Sequence, residues 1–162
     1  MASFLDYYGK IRSRTLKVIR TIPAERLEWT FREGKYTIGD QVRHIATIER
    51  YMFAETFAGR PSCYQGCSKE IADGYDDVLG LFNKLHGETL RILRGLDDAD
   101  LNKSCITPGN STIQLWKWLR AMVEHEIHHR AQIYIYLSIL DVSTPPIFGL
   151  TAEEVIQYSE TV

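Results

Sequence analysis

Two histidines in this sequence lie one helical turn apart, a spacing that is typical of metal ligands. His125 and His129 continue the apolar register of Leu115, Trp118 and Met122, so a helix places both imidazoles on its buried face. A spacing of i and i+4 sets two side chains side by side and lets one helix offer two nitrogen ligands to a metal ion. The alternative is a pair of packing histidines, each of which then needs its own hydrogen-bond partner in apolar surroundings.

A third ligand has to come from another helix, and His44 is the best candidate. It lies at the edge of an apolar stripe, with Gln41 and Ile48 one turn away on either side. His86 falls one step off the apolar seam of its own segment, so we expect it to be exposed. His128 is predicted to point about a quarter-turn away from the face shared by the other two histidines of its helix.

The elements that must position these histidines follow from apolar periodicity, which predicts four long helices and a short fifth. In the third segment, Ile71, Val78, Leu85 and Ile92 recur every seven residues, which is typical of antiparallel packing in a bundle. No alternating pattern favours strands over a useful length. The predicted helical segments are residues 3–22, 37–59, 69–96, 111–144 and a short one from 151.

Three short motifs predict where helices begin. A Ser or Thr followed three residues later by an acidic or amide side chain can satisfy two free backbone amides at a helix N-terminus. The motif pairs Thr37 with Asp40, Ser111 with Gln114, and Thr151 with Glu154. We therefore expect one helix to begin directly after each of the three hydroxyl residues.

The composition is that of an ordinary globular protein. The 162 residues carry a net charge of −2, with 44% hydrophobic and 25% charged residues, so we expect a single domain over residues 1–162. This balance argues against nucleic acid as a partner, and the apolar runs are far shorter than a membrane span needs. No signal peptide is visible. Cys63, Cys67 and Cys105 are an odd number, which favours reduced thiols and a cytoplasmic location.

Three stretches resemble the DinB/YfiT-like superfamily of metal-binding four-helix bundles. Trp29 through His44, WTFREGKYTIGDQVRH, looks like the family's lead-in and second helix. His125 through Gln132, HEIHHRAQ, is similar to its helix-four signature, and Pro145 through Val155, PPIFGLTAEEV, to its C-terminal stretch. The one departure is Ala131, where many members have Gly, and this change on a helix is small. The resemblance covers nearly the whole chain.

The resemblance implies a fold and a metal site. The fold is all-α, an antiparallel four-helix bundle of the DinB/YfiT type with a short fifth C-terminal helix. The family's three ligand positions fall on His44, His125 and His129, and His128 matches a neighbouring histidine that is not a ligand. One divalent metal ion per chain, zinc or nickel, and a homodimer are also implied. Relatives include metal-dependent thiol transferases or isomerases, others that look like hydrolases, and many of no assigned activity.

Three histidine ligands leave at least one metal position open, which is the arrangement of a catalytic site. We expect a metal-dependent enzyme that activates a low-molecular-weight thiol or water for attack on a small electrophilic substrate, as in a thiol transferase. The alternatives are a metal-dependent hydrolase and a metal- or ligand-binding bundle without turnover, such as a stress-response accessory. Tyr36, Trp29 and Tyr51 are candidates for lining a substrate pocket, or are core aromatics.

No general base is predicted. Glu126 could orient a ligand imidazole, but a surface glutamate paired with Arg130 is the commoner role for such a spacing. Gln41 and Gln132 could hydrogen-bond a metal-bound water or simply occupy the polar end of the bundle. Cys63 and Cys67 have a CxxxC spacing, which is weak as a zinc or redox motif, so we interpret them as incidental loop thiols.

Overall fold

The structure is a computed structural model that describes residues 1–160. Its regular elements in chain order are α1 (Ala2–Ile19), α2 (Ile38–Ile48), a π-helical turn (Glu49–Phe53), α3 (Ala54–Phe57), α4 (Tyr75–Leu93), β1 (Ser104–Ile106), β2 (Thr112–Gln114), α5 (Leu115–Ile139) and α6 (Ala152–Ser159). Within this range no helix is both long and apolar enough to cross a membrane.

Four helical segments form a bundle, as the apolar periodicity predicts. α2 packs against α4 and α5, α1 packs against α5, and α2 runs through the π-helical turn into α3 as one continuous rod. The buried side chains repeat every three or four residues along each helix because that spacing keeps them on one face. The buried side chains of these segments include Tyr8, Ile11, Val18, Val42, Ile45, Val78, Phe82, Leu85, Met122 and Ile133.

A polar layer separates two apolar clusters in the bundle core. One cluster contains Phe82 and Ile133, and the other contains Tyr8 and Met122. Along α1, α4 and α5, the buried polar side chains fall between the members of these two clusters in the sequence; they are Arg12, Thr15, Thr89, Glu126 and Arg130. Charged groups this far from water must be paired, because an isolated buried charge is costly.

Arg12 provides that pairing at the centre of the layer. Its guanidinium contacts the carboxylate of Glu49, lies 3.1 Å from Glu126, and stacks over the Phe82 ring at 4.1 Å. Burial opposes ionisation of Glu49, yet Arg12 and a 2.8 Å bond from His86 Nδ1 hold its pKa below the ordinary value. Glu126 is thus buried and paired with α1, so its interpretation as a surface partner of Arg130 is wrong. His86 is also more enclosed than expected, with 14% of its side chain exposed.

The start of α2 is fixed by the capping box that the sequence predicts. Thr37 Oγ1 accepts from the Asp40 amide at 2.9 Å, and the Asp40 carboxylate accepts from the Thr37 amide at 2.9 Å. At Gly39 the helix touches the preceding segment, since the Gly39 amide donates to the Leu27 carbonyl at 2.6 Å. A Cβ at Gly39 would lie 2.8 Å from Glu28 Oε1, so glycine permits this close approach.

Two predicted helix starts are wrong, and a local backbone feature explains each. Thr112–Gln114 forms β2, paired antiparallel with β1, so α5 begins at Leu115 without a side-chain cap rather than after Ser111. The third helix begins at Tyr75 rather than near residue 69, because Gly74 has φ +88° and interrupts the helix. The capping box at Thr151 and Glu154 is confirmed at the start of α6.

Candidate metal centre

Three imidazoles converge between α2 and α5. His125 and His129 lie one turn apart on α5, and His44 faces them from α2, two turns after the capping box. The Nε2 atoms of His44 and His125 are 3.1 Å apart, and one nitrogen of each of the three rings lies within 4.8 Å of the others. The rings themselves are in contact, with centroids 4.5 to 5.0 Å apart. The structure therefore brings together the three histidines that the sequence singles out.

Two glutamines orient His129. Its Nδ1 lies 2.6 Å from Gln41 Oε1 and 2.8 Å from Gln132 Oε1. An amide oxygen can only accept, so Nδ1 carries the proton and Nε2 keeps its lone pair. The Gln132 amide nitrogen faces His128 Nε2 at 3.1 Å, which agrees with this assignment of its two side-chain atoms. The glutamines thus hold the imidazole itself in place.

A tyrosine from the loop between α3 and α4 contacts His44. The Tyr64 hydroxyl lies 2.9 Å from His44 Nδ1, and the two rings meet edge to face. Tyr36 packs against the same imidazole at a centroid distance of 5.6 Å. Burial raises the pKa of the Cys67 thiol, which interacts with both Tyr64 and Tyr36. The thiol is therefore protonated at physiological pH.

The three imidazoles are neutral at physiological pH. Burial, reinforced by the positive charge that the neighbouring imidazoles would carry, lowers the pKa of His125 to about 3 and that of His129 to about 4. Burial also lowers the pKa of His44. A neutral imidazole keeps a lone pair available, which is the form that binds zinc, nickel and similar divalent ions. Three such nitrogens at this spacing fit a divalent metal ion, and tetrahedral coordination would leave a fourth position for a non-protein ligand.

The other residues singled out from the sequence are distributed unevenly around this centre. Of the three aromatic candidates for a pocket, Tyr36 touches His44, whereas Trp29 packs on Tyr136 at 5.5 Å and Tyr51 lies beside Arg50. His128 is exposed and is not one of the three converging histidines, although its ring packs edge to face on His129 at 5.0 Å. Of the two loop thiols, Cys63 is exposed and Cys67 is buried beside Tyr64.

Sequence reasoning missed Tyr64 and the location of Cys67. Both lie in a segment without regular structure, where no periodicity indicates which side chains point inward. A cavity of about 760 Å³ was equally invisible in the sequence; Phe57, Leu96, Cys105 and Leu115 are among its lining residues. None of the three converging histidines lines this cavity, so it is separate from the candidate metal centre.

A family model and several solved structures resemble this chain in sequence or in fold. The model of the DinB superfamily matches residues 7–133. The fold is similar to that of a DinB-like protein from Bacillus cereus ATCC 10987 (TM-score 0.77, 16% identity, 90% of this chain and 96% of that one). It is also similar to YjoA from Bacillus subtilis (TM-score 0.72, 20% identity, 90% and 96% covered). YfiT from Bacillus subtilis, described as a probable metal-dependent hydrolase with an unusual four-helix bundle topology, gives a TM-score of 0.69 at 18% identity, with 88% of each chain covered. No curated protein matches the sequence.

Proposed function

The chain belongs to the DinB superfamily, and from this premise we propose that it is an enzyme dependent on one divalent metal ion held by His44, His125 and His129. The observation that carries the proposal is the convergence of three neutral imidazole nitrogens from two helices on one point. When bound there, the ion would supply Lewis acidity that lowers the pKa of a small nucleophile. The sequence resemblance to metal-binding relatives and the likeness to YfiT support the same class of site.

The uncharged partners of the histidines favour an anionic nucleophile, and a thiolate is one such nucleophile. Gln41, Gln132 and Tyr64 hydrogen-bond to the histidine ligands, and all three side chains are uncharged. Neutral surroundings leave the double charge of a zinc or nickel ion undiminished, which favours an anionic ligand such as a thiolate. A thiolate needs no general base once it is formed. We therefore propose transfer of a low-molecular-weight thiol to a small electrophilic molecule.

Hydrolysis is the second candidate, and the likeness to YfiT favours it. The same three histidines would serve, with water in place of the thiol. Gln41, Gln132 and Tyr64 bond to the Nδ1 atoms of the ligands, so they orient the imidazoles and would do so for either nucleophile. The third alternative is a bundle that binds a metal ion without catalysing a reaction. It would use the same three histidines as the thiol transferase and the hydrolase, but would convert no substrate.

Metal content tests the site directly. Protein purified without a histidine tag is expected to contain about one divalent ion per chain by mass spectrometry, and to lose it in His44→Ala and His129→Ala. His128→Ala is the matched control, because this exposed histidine lies on the same helix next to a proposed ligand. Wild-type protein without metal, or equal metal content in all variants, would contradict the proposal.

Cobalt substitution distinguishes the two nucleophiles. Visible spectra of the cobalt protein should change when a small thiol such as glutathione or cysteine is added, because sulfur as a ligand alters the absorption of the ion. The His128→Ala protein should respond in the same way as the wild type. A spectrum that is insensitive to thiols but changes with pH in the manner of a titrating water would favour the hydrolase.

A further inference from the structure

We propose that Tyr64 is a positioning residue for the metal centre, and that its hydroxyl fixes the orientation and the tautomer of His44. This inference rests on the proposed function, because the role of Tyr64 is to prepare one of the three proposed ligands. Tyr64 lies in a loop without regular structure, where no periodicity selects it.

The hydrogen bond between the two side chains carries the argument. A neutral imidazole has one N–H group, and the bond made by one ring nitrogen decides which nitrogen remains free. His44 Nε2 faces His125 across 3.1 Å, so the lone pair needed for a metal must be on Nε2 and the proton on Nδ1. Nδ1 lies 2.9 Å from the Tyr64 hydroxyl, which can accept that proton in a hydrogen bond.

The surroundings of Tyr64 favour this direction of the bond. A hydroxyl that accepts from His44 still has its own proton to donate, and Cys67, which interacts electrostatically with Tyr64, offers an acceptor for it. The Tyr64 hydroxyl can therefore accept from His44 without leaving its own proton unused.

The backbone also fixes the position of Tyr64 against α2. The Cys63 amide donates to the Tyr51 carbonyl at 2.9 Å, and the Ser62 hydroxyl donates to the same carbonyl at 3.3 Å. These bonds are made by the two residues that precede Tyr64, and they attach the loop to the continuous helical rod that carries His44. The resulting arrangement corresponds to that of His129, which two glutamines orient through its Nδ1.

The binding experiment compares Tyr64→Phe with Tyr36→Phe. Both tyrosine rings pack against His44, but the bond to Nδ1 comes from Tyr64, so Tyr36→Phe controls for loss of a nearby hydroxyl. Zinc affinity is measured by competition with a chromogenic chelator. We expect Tyr64→Phe to bind zinc about 10- to 100-fold more weakly, as for loss of other hydrogen-bond partners of metal-bound histidines. Tyr36→Phe should stay within about threefold of the wild type, and equal affinities for all three proteins would overturn the inference.

A second readout needs no metal. Nitrogen-15 NMR of the histidine rings distinguishes a protonated from an unprotonated ring nitrogen, and in metal-free wild type His44 should carry its proton on Nδ1. In Tyr64→Phe the signals should shift towards the Nε2-protonated form, while those of His129 stay unchanged. A wild-type His44 protonated on Nε2 would overturn the inference. If wild-type protein binds no zinc, the proposed function fails, and the tautomer still decides the role of Tyr64.

Discussion

Zinc affinity should depend unusually weakly on acidity, because burial has already made the candidate ligands poor bases. Protons compete with a metal ion for the imidazole lone pair, so the loss of affinity on acidification depends on the pKa of each ligand in the metal-free protein. The informative perturbation is a change from pH 7.5 to pH 5.5, which crosses the ordinary pKa of histidine at about 6.5.

The expected loss follows from the pKa values of the three side chains. An exposed imidazole with a pKa of about 6.5 becomes about tenfold less available over this interval, so three of them would weaken binding about 1,000-fold. His125 and His129, with pKa values of about 3 and about 4, remain almost entirely neutral at pH 5.5. The pKa of His44 is also lowered, so it contributes less than an exposed histidine would. Zinc affinity should therefore fall by no more than about tenfold.

The assay is chelator competition at each pH, with the affinity of the chelator corrected for its own protonation. His128→Ala should give the same pH profile, because its exposed imidazole takes no part in binding in this scheme. A fall of about 100-fold or more in wild-type protein would contradict the prediction, since at least two ligands would then have to titrate as exposed histidines do.

Three further predictions concern stability. Arg12→Met removes the guanidinium that pairs with the buried carboxylates of Glu49 and Glu126, and should lower the free energy of unfolding in urea by about 3–5 kcal/mol. A change below about 1 kcal/mol would show that the polar layer is hydrated. Gly39→Ala places a Cβ 2.8 Å from Glu28 Oε1 and should therefore lower the melting temperature. Gly80→Ala is the control: Gly80 lies in α4 with open space around it, so this variant should raise the free energy of unfolding by about 1 kcal/mol. Metal-free protein should lose stability as the pH falls from about 6.5 to 4.5, because histidines of the unfolded chain bind protons in this range whereas buried His125, with its lowered pKa, does not. In denaturation experiments at several pH values, His125→Asn should make the free energy of unfolding depend less on pH. An unchanged pH dependence in this variant would contradict the prediction.

The helices, and the presence of two histidines on one face of the last long helix, could be predicted from the sequence. Helical periodicity is a local property, since it depends on residues three and four positions apart, so the stripes of α1, α4 and α5 could be identified without knowledge of their partners. The same register placed His125 and His129 on one face. Assignment of His44 needed more, and came from its place at the edge of a stripe together with the family resemblance.

Tertiary structure alone decided what surrounds these histidines. Tyr64 reaches His44 from an irregular loop, and Glu126 pairs with Arg12, which is more than 100 positions away in the chain. The helix predicted to begin after Ser111 begins later because residues 112–114 pair with residues 104–106 in a short hairpin. For Tyr64 and Glu126 the interaction that fixes the residue joins segments that are distant in sequence, and no local pattern of side chains encodes such a contact.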